Sequence, residues 1–77
     1  MNLNNWITQA RAHWKEFLPT RYKELRQAGK LDEALKNAAE RTYEELNELE
    51  ASGMKQQEAW EMVRQQYLFP PEENKWA

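Results

Sequence analysis

The stretch 31-LDEALKNAAERTYEELNELEAS-52 decides how this 77-residue chain folds. Leu31, Leu35, Ala38, Thr42, Leu46 and Leu49 recur in it at three- and four-residue steps. At about 100° per residue they form one stripe, flanked by Ala34, Ala39 and Tyr43, which predicts an amphipathic helix roughly 33 Å long. The middle of the stripe is small: Ala38, Ala39 and Thr42. Small residues let a neighbouring helix approach closely, so bulky side chains from that neighbour should land there. Trp6, Trp14 and Trp60 are the candidates, and all three are expected in the core. Gly53 adopts a left-handed C-terminal cap without steric cost and should end the helix.

The same period appears on both sides of this segment. Ala59, Trp60, Val63 and Tyr67 share one face of a helix expected over Lys55 to Tyr67, with Met62 at its edge. Leu68 falls roughly opposite on that wheel, and Pro70 and Pro71 end the regular structure. Toward the start, Leu3, Trp6, Ile7, Ala10, Trp14, Phe17 and Leu18 share one side of a helix expected over Leu3 to Leu18. Asn4 or Asn5 would serve as its N-cap, and Pro19 should stop it. A short helix from Thr20 to Ala28 offers Tyr22 and Leu25 to the core and closes at Gly29.

β-branched residues are limited to Ile7, Thr8, Thr20, Thr42 and Val63, so no strand is expected. The expected fold is all-α: a small antiparallel helical bundle of three main helices plus one short helix, because short connections favour antiparallel neighbours. Helix three is longer than helices one and four. Either the short helix covers its overhang or a second copy does, so a monomer and a homodimer both fit. Residues 1–69 read as a single helical domain and 70–77 as an extended C-terminal tail.

With 9.3 kDa and no cysteine, the chain has neither disulfides nor thiolate metal sites to support a small core. No run approaches the ~20 apolar residues of a membrane span. The opening MNLNNW lacks the basic, apolar and small-residue order of a secretory signal, so a cytoplasmic location is expected. The net charge of −2 hides an asymmetry. Residues 1–30 carry six basic residues against two acidic ones; residues 31–77 carry five against eleven. Either the two halves attract each other in the fold, or they present faces of opposite sign and one is a binding face.

The residues that could do chemistry are few. His13 is the lone histidine and flanks the apolar face of the first helix, which reads as a partly buried surface position. A general base would need an orienting partner and a reactive neighbour. Ser52, the lone serine, sits at a predicted helix end, where capping is the plainer role. Glu40, Glu44 and Glu48 lie four apart and project away from the apolar stripe; with Glu33 they read as a solvated face, since carboxylate metal sites draw inward-pointing ligands from several elements. No catalytic residue, metal ligand or cofactor is expected.

Binding remains. Arg11, Lys15, Arg21, Lys23 and Arg26, with Trp14 and Tyr22, could touch phosphates and stack on bases. However, the helix after the turn in 21-RYKELRQAGKLDEAL-35 is acidic, which DNA would repel. The tail 67-YLFPPEENKWA-77 offers aromatic anchors for a protein partner. Trp76 follows a proline-led acidic stretch that should be extended. Leu68 or Phe69 is expected to pack as a lid, and Glu72 to Ala77 to be loosely held. The candidate partner-binding residues are Leu68, Phe69 and Trp76, with Arg21, Lys23 and Arg26 as a secondary surface.

Two segments carry a likeness: 12-AHWKEFLPTRYKELRQAGKLDEAL-35 and 58-EAWEMVRQQYLFPPEE-73. In the Trp14–Leu18 run into Pro19, the Ala59-Trp60 pair and the Tyr67–Glu73 ending, the chain resembles small proteins of unassigned role encoded in bacteriophages and prophages. The resemblance implies a phage-encoded accessory protein and transfers no site. The expected function is therefore non-enzymatic binding of another protein. The alternative is a weak nucleic-acid-binding accessory protein using the basic first half.

Overall fold

A computed structural model describes residues 3–71. Four helices follow in order: α1 (Leu3–Phe17), α2 (Pro19–Gln27), α3 (Leu31–Ala51) and α4 (Gln56–Tyr67), with no strand among the described residues. The helices end where the sequence punctuates them. Gly29 and Gly53 take φ of +71° and +104°. At the first, Lys30 N–H donates to the Leu25 carbonyl and Gly29 N–H to that of Arg26; at the second, Met54 N–H donates to Leu49 and Gly53 N–H to Glu50. This paired pattern satisfies carbonyls that the helix itself leaves free. Its companion apolar contact is present too, since Met54 and Leu49 pack on the same buried cluster. Ser52 caps α3 by donating its hydroxyl to the Leu49 carbonyl at 2.7 Å.

The helix starts are plainer. α1 begins at Leu3, so Asn4 and Asn5 lie inside its first turn instead of capping it. Leu18, Lys30 and Lys55 precede α2, α3 and α4 without a side-chain cap. Lys55 already has the extended backbone of an N-cap, φ −70° and ψ 145°, and Glu58 stands three residues on. Lys55→Ser would complete a reciprocal capping box with Glu58. It is expected to stabilise the chain by about 1 kcal/mol in urea denaturation.

α3 is the spine. α1, α2 and α4 all pack against it, whereas no Cα of α1 comes within 8 Å of one in α4. Arg11 of α1 meets Asp32, and Trp6 meets Leu46, so α1 runs antiparallel to α3. Ala59 packs near Leu46, whereas Gln66 and Tyr67 line one recess with Ala34 and Ala38, so α4 does too. Ala10, Ala39 and Ala59 are fully buried, which permits close approach of the backbones. Trp14 enters the small centre of α3 and is 1% exposed. Thr42 is completely buried there, its hydroxyl donating to the Ala38 carbonyl at 2.8 Å, so burial leaves no unpaired polar atom. α2 buries none of its residues fully, but Tyr22 and Leu25 pack on the cluster that holds Leu31 and Leu35. The short helix thus covers the overhang of α3.

Two sequence expectations need correction. Of the three tryptophans expected in the core, only Trp14 is buried; Trp6 and Trp60 are half-buried. Leu68, placed opposite the core by the helical wheel, is completely buried among Trp14, Leu18, Leu31 and Leu35. The wheel assumes that the core lies on one side of α4. At this end of the bundle, Trp14, Leu18 and the start of α3 gather around the residue that follows α4. The two halves of the chain meet in the Arg11–Asp32 ion pair at 2.8 Å, with both side chains largely exposed; such pairs contribute about 1 kcal/mol or less.

Candidate docking site on the α1–α4 seam

Because α1 and α4 stand apart, aromatic side chains fill the seam between them. Their rings form a continuous series. Trp6 stacks on Trp60 with centroids 5.2 Å apart and planes at 24°. Trp60 meets Phe69 edge-on at 6.4 Å, Phe69 meets His13 at 5.4 Å, and His13 tilts onto Phe17 at 4.7 Å. These spacings are those at which aromatic pairs attract beyond simple burial. The series is only partly covered. Phe17 is 37% exposed, and the other four rings are half-buried.

Two recesses open along the seam. One, of about 340 Å³, is lined by Trp6, Leu46 and Trp60 with Gln56 and Gln57 at its rim. The other, of about 420 Å³, lies between His13, Arg64, Gln65, Phe69 and the two prolines. Both present apolar rings beside amide or guanidinium groups. That combination suits side-chain anchors and backbone hydrogen bonds of a protein segment.

The far wall of the second recess is held by α1. The Trp14 indole N–H donates to the Leu68 carbonyl at 2.9 Å, and His13 Nε2–H donates to the Pro70 carbonyl at 2.6 Å. The first carbonyl belongs to the end of α4, where no helical partner exists. The Arg64 carbonyl accepts from both Leu68 and Phe69 N–H, tightening the exit from the helix. Pro70, read from the sequence as tail, is therefore fastened to the body.

The other sequence candidates fall elsewhere. Leu68 is corrected: fully buried, it can touch no partner, and it serves as the lid. Phe69 lies in the ring series. Trp76 and the expectation of a loosely held Glu72–Ala77 lie outside the described residues. Arg21, Lys23 and Arg26 are exposed on α2. The Arg21 guanidinium sits over the Trp14 ring, 5.3 Å from its centroid, a cation–π contact that covers the buried indole from outside. Lys23 borders a separate shallow recess with Pro19, Thr20, Glu24 and Gln27, so α2 and the seam do not form one site. The sequence signal for the seam was present. Trp6, His13 and Phe17 share one edge of α1 at seven- and four-residue steps, and Trp60 and Arg64 do the same on α4.

Among the described residues, no three acidic or histidine side chains gather as a metal site, and Glu40, Glu44 and Glu48 are exposed on α3. No described helix is long and apolar enough to cross a membrane. Tyr67 donates its hydroxyl to Glu45 at 2.5 Å. This bond, then burial and the Glu45 charge, raise its pKa above the usual 10.0, while Arg41 opposes the shift. A folded-state pKa above the unfolded one gives stability that is present below about pH 10 and is lost as pH rises through the folded value. Tyr67→Phe is therefore expected to flatten the alkaline fall in melting temperature above about pH 10 relative to the native chain. Identical alkaline limbs would remove Tyr67 from the account.

No family model matches the chain, and no curated protein or solved structure matches it significantly.

Proposed function

We propose that this chain is a non-enzymatic accessory protein that binds another protein through the α1–α4 seam. The observation that carries the reading is the series of five rings, Trp6 to Phe17, left partly open on a rigid spine and flanked by two recesses. Aromatic side chains concentrate binding energy at protein interfaces. A seam whose rings already pack against one another spends little further entropy on docking. The likeness to small phage and prophage proteins supports placing it among phage-encoded accessory factors, acting in the cytoplasm as a monomer or a homodimer.

The test uses two variants of the full chain. Gln56→Glu with Gln57→Glu puts charge at the rim of the first recess; Lys23→Glu with Arg26→Glu reverses the exposed face of α2. In affinity capture from host lysate, the seam variant is expected to lose at least tenfold in bound partner, about 1.4 kcal/mol, and the α2 variant to retain it. The reverse pattern would favour the second reading, nucleic-acid binding by α2, which the exposure of Lys23 and Arg26 supports. Binding of that kind would fall steeply with salt.

A further inference from the structure

We propose that the recess where α2, α3 and α4 meet binds a small organic phosphate, with Arg21 and Arg41 holding the phosphate group. The recess measures about 340 Å³ and shares no lining residue with the two recesses of the seam. Arg21 enters it from α2, Asn37 and Arg41 from α3, and Gln66 from α4. Its walls therefore carry two guanidiniums and two amides, all of them donors, and no carboxylate lines it among the described residues. The Arg21 guanidinium lies over the Trp14 ring, 5.3 Å from its centroid. A guanidinium so placed presents its flat face to the ring, while its five N–H donors lie in the plane, in a fork that matches an oxyanion. Arg41 stands close enough to the Tyr67 hydroxyl to oppose the rise in its pKa, and Tyr67 lines the same recess. Lys23 and Arg26, the other cations of the α2 surface, do not line it.

Charge and volume set the class of ligand. A phosphomonoester carries about −1.5 to −2 near pH 7, which two guanidiniums match better than they match a single carboxylate. The volume lies at the lower end of small-molecule sites and exceeds what a bare phosphate fills. Space is left for a compact apolar body against Ala34, Ala38 and the Tyr67 ring. Acidic side chains stand nearby but outside the lining. Glu45 accepts the Tyr67 hydroxyl, and Glu40 and Glu44 share a neighbouring recess with Asn37 and Arg41. They offset part of the Arg41 charge. Arg21, Asn37, Arg41 and Gln66 are also exposed, where water and salt compete for an anion. The expected Kd is therefore on the order of 1 mM, not micromolar. The site stands whether or not the seam docks a protein.

Phenyl phosphate, titrated into the isotope-labelled full chain at constant ionic strength, tests the proposal by NMR. The Nε–H signals of Arg21 and Arg41 and the side-chain amides of Asn37 and Gln66 are expected to move together to saturation. The indole signals of Trp6 and Trp60 and the amides of Gln56 and Gln57 should stay. Inorganic phosphate, which lacks the ring, and benzoate, which has a single charge, should each bind about tenfold more weakly, or 1.4 kcal/mol. Arg21→Gln and Arg41→Gln should each weaken phenyl phosphate by about the same factor. So should Asn37→Asp, which adds a carboxylate to the recess at unchanged volume and leaves the arginine contacts of the fold in place. Lys23→Gln with Arg26→Gln, which removes more charge from α2, should leave the affinity as it is. Absence of saturation by about 10 mM, tenfold beyond a millimolar site, overturns the proposal. Benzoate binding as well as phenyl phosphate overturns it too, because the site then does not select phosphate. So does native affinity in Asn37→Asp, or a loss in the Lys23 and Arg26 variant equal to that in Arg21→Gln, which would make α2 a diffuse basic surface.

Discussion

Trp14→Ala is expected to leave most of the chain unfolded at 25 °C. Trp14 is 1% exposed and is the largest of the fully buried side chains. It fills the space above the small centre of α3 and packs with Ala10, Leu18, Leu35 and Leu68. Truncating a buried aromatic to alanine costs about 3–5 kcal/mol. A core in a chain below ~80 residues rarely supplies more than about 3–5 kcal/mol. The loss is thus comparable to the whole. Trp14→Phe separates the two roles of the side chain. It keeps most of the volume but leaves the Leu68 carbonyl without its donor, at a cost of about 1–3 kcal/mol. Far-UV circular dichroism with urea titration reads both. A Trp14→Ala chain with the native urea midpoint would show that the core lies elsewhere.

Leu68→Ala is the second large effect, at about 2–5 kcal/mol. The side chain is completely buried, and its backbone carries the bond from Trp14. Phe69→Ala should cost less, because the ring is half-buried and faces the seam. The comparison is a direct test of which residue is the lid. If Leu68 were a surface anchor, its truncation would change stability by no more than about 0.5 kcal/mol, and the fastening of 68–70 to α1 would be mistaken.

The fold was legible where one physical rule acted alone. The period of Leu31 to Leu49 gave α3. Gly29 and Gly53 gave the ends of α2 and α3, since few residues other than glycine accept φ near +71° and +104°. The small run Ala38, Ala39 and Thr42 foretold that a tryptophan would land there, and Trp14 does. Legibility failed where the answer depended on the spacing of two helices whose Cα atoms stay more than 8 Å apart. A wheel sorts residues by direction from one axis. It cannot say that α1 and α4 stand apart on α3, leaving Trp6 and Trp60 stacked across the gap instead of enclosed. It also cannot say that Trp14, Leu18, Leu31 and Leu35 gather at the end of α4 and bury Leu68. The bonds from Trp14 and His13 to the carbonyls of Leu68 and Pro70 span 54 and 57 residues, and no local pattern announces them.

The site was legible in part for the same reason. The aromatic content pointed to binding, and Phe69 belongs to the seam. The cations of α2 drew attention through charge alone, whereas Gln56 and Gln57, which rim the Trp6–Trp60 recess, carry no signal in composition.

Site-specific photocrosslinking tests the central claim most directly. A photoreactive side chain is placed at Gln57, on the seam, and in a second chain at Gln27, on α2, and both are irradiated in the host cell. A discrete adduct to another protein from position 57, absent from position 27, is the result the seam account predicts. No intermolecular adduct from position 57, or the same adduct from both positions, would contradict it.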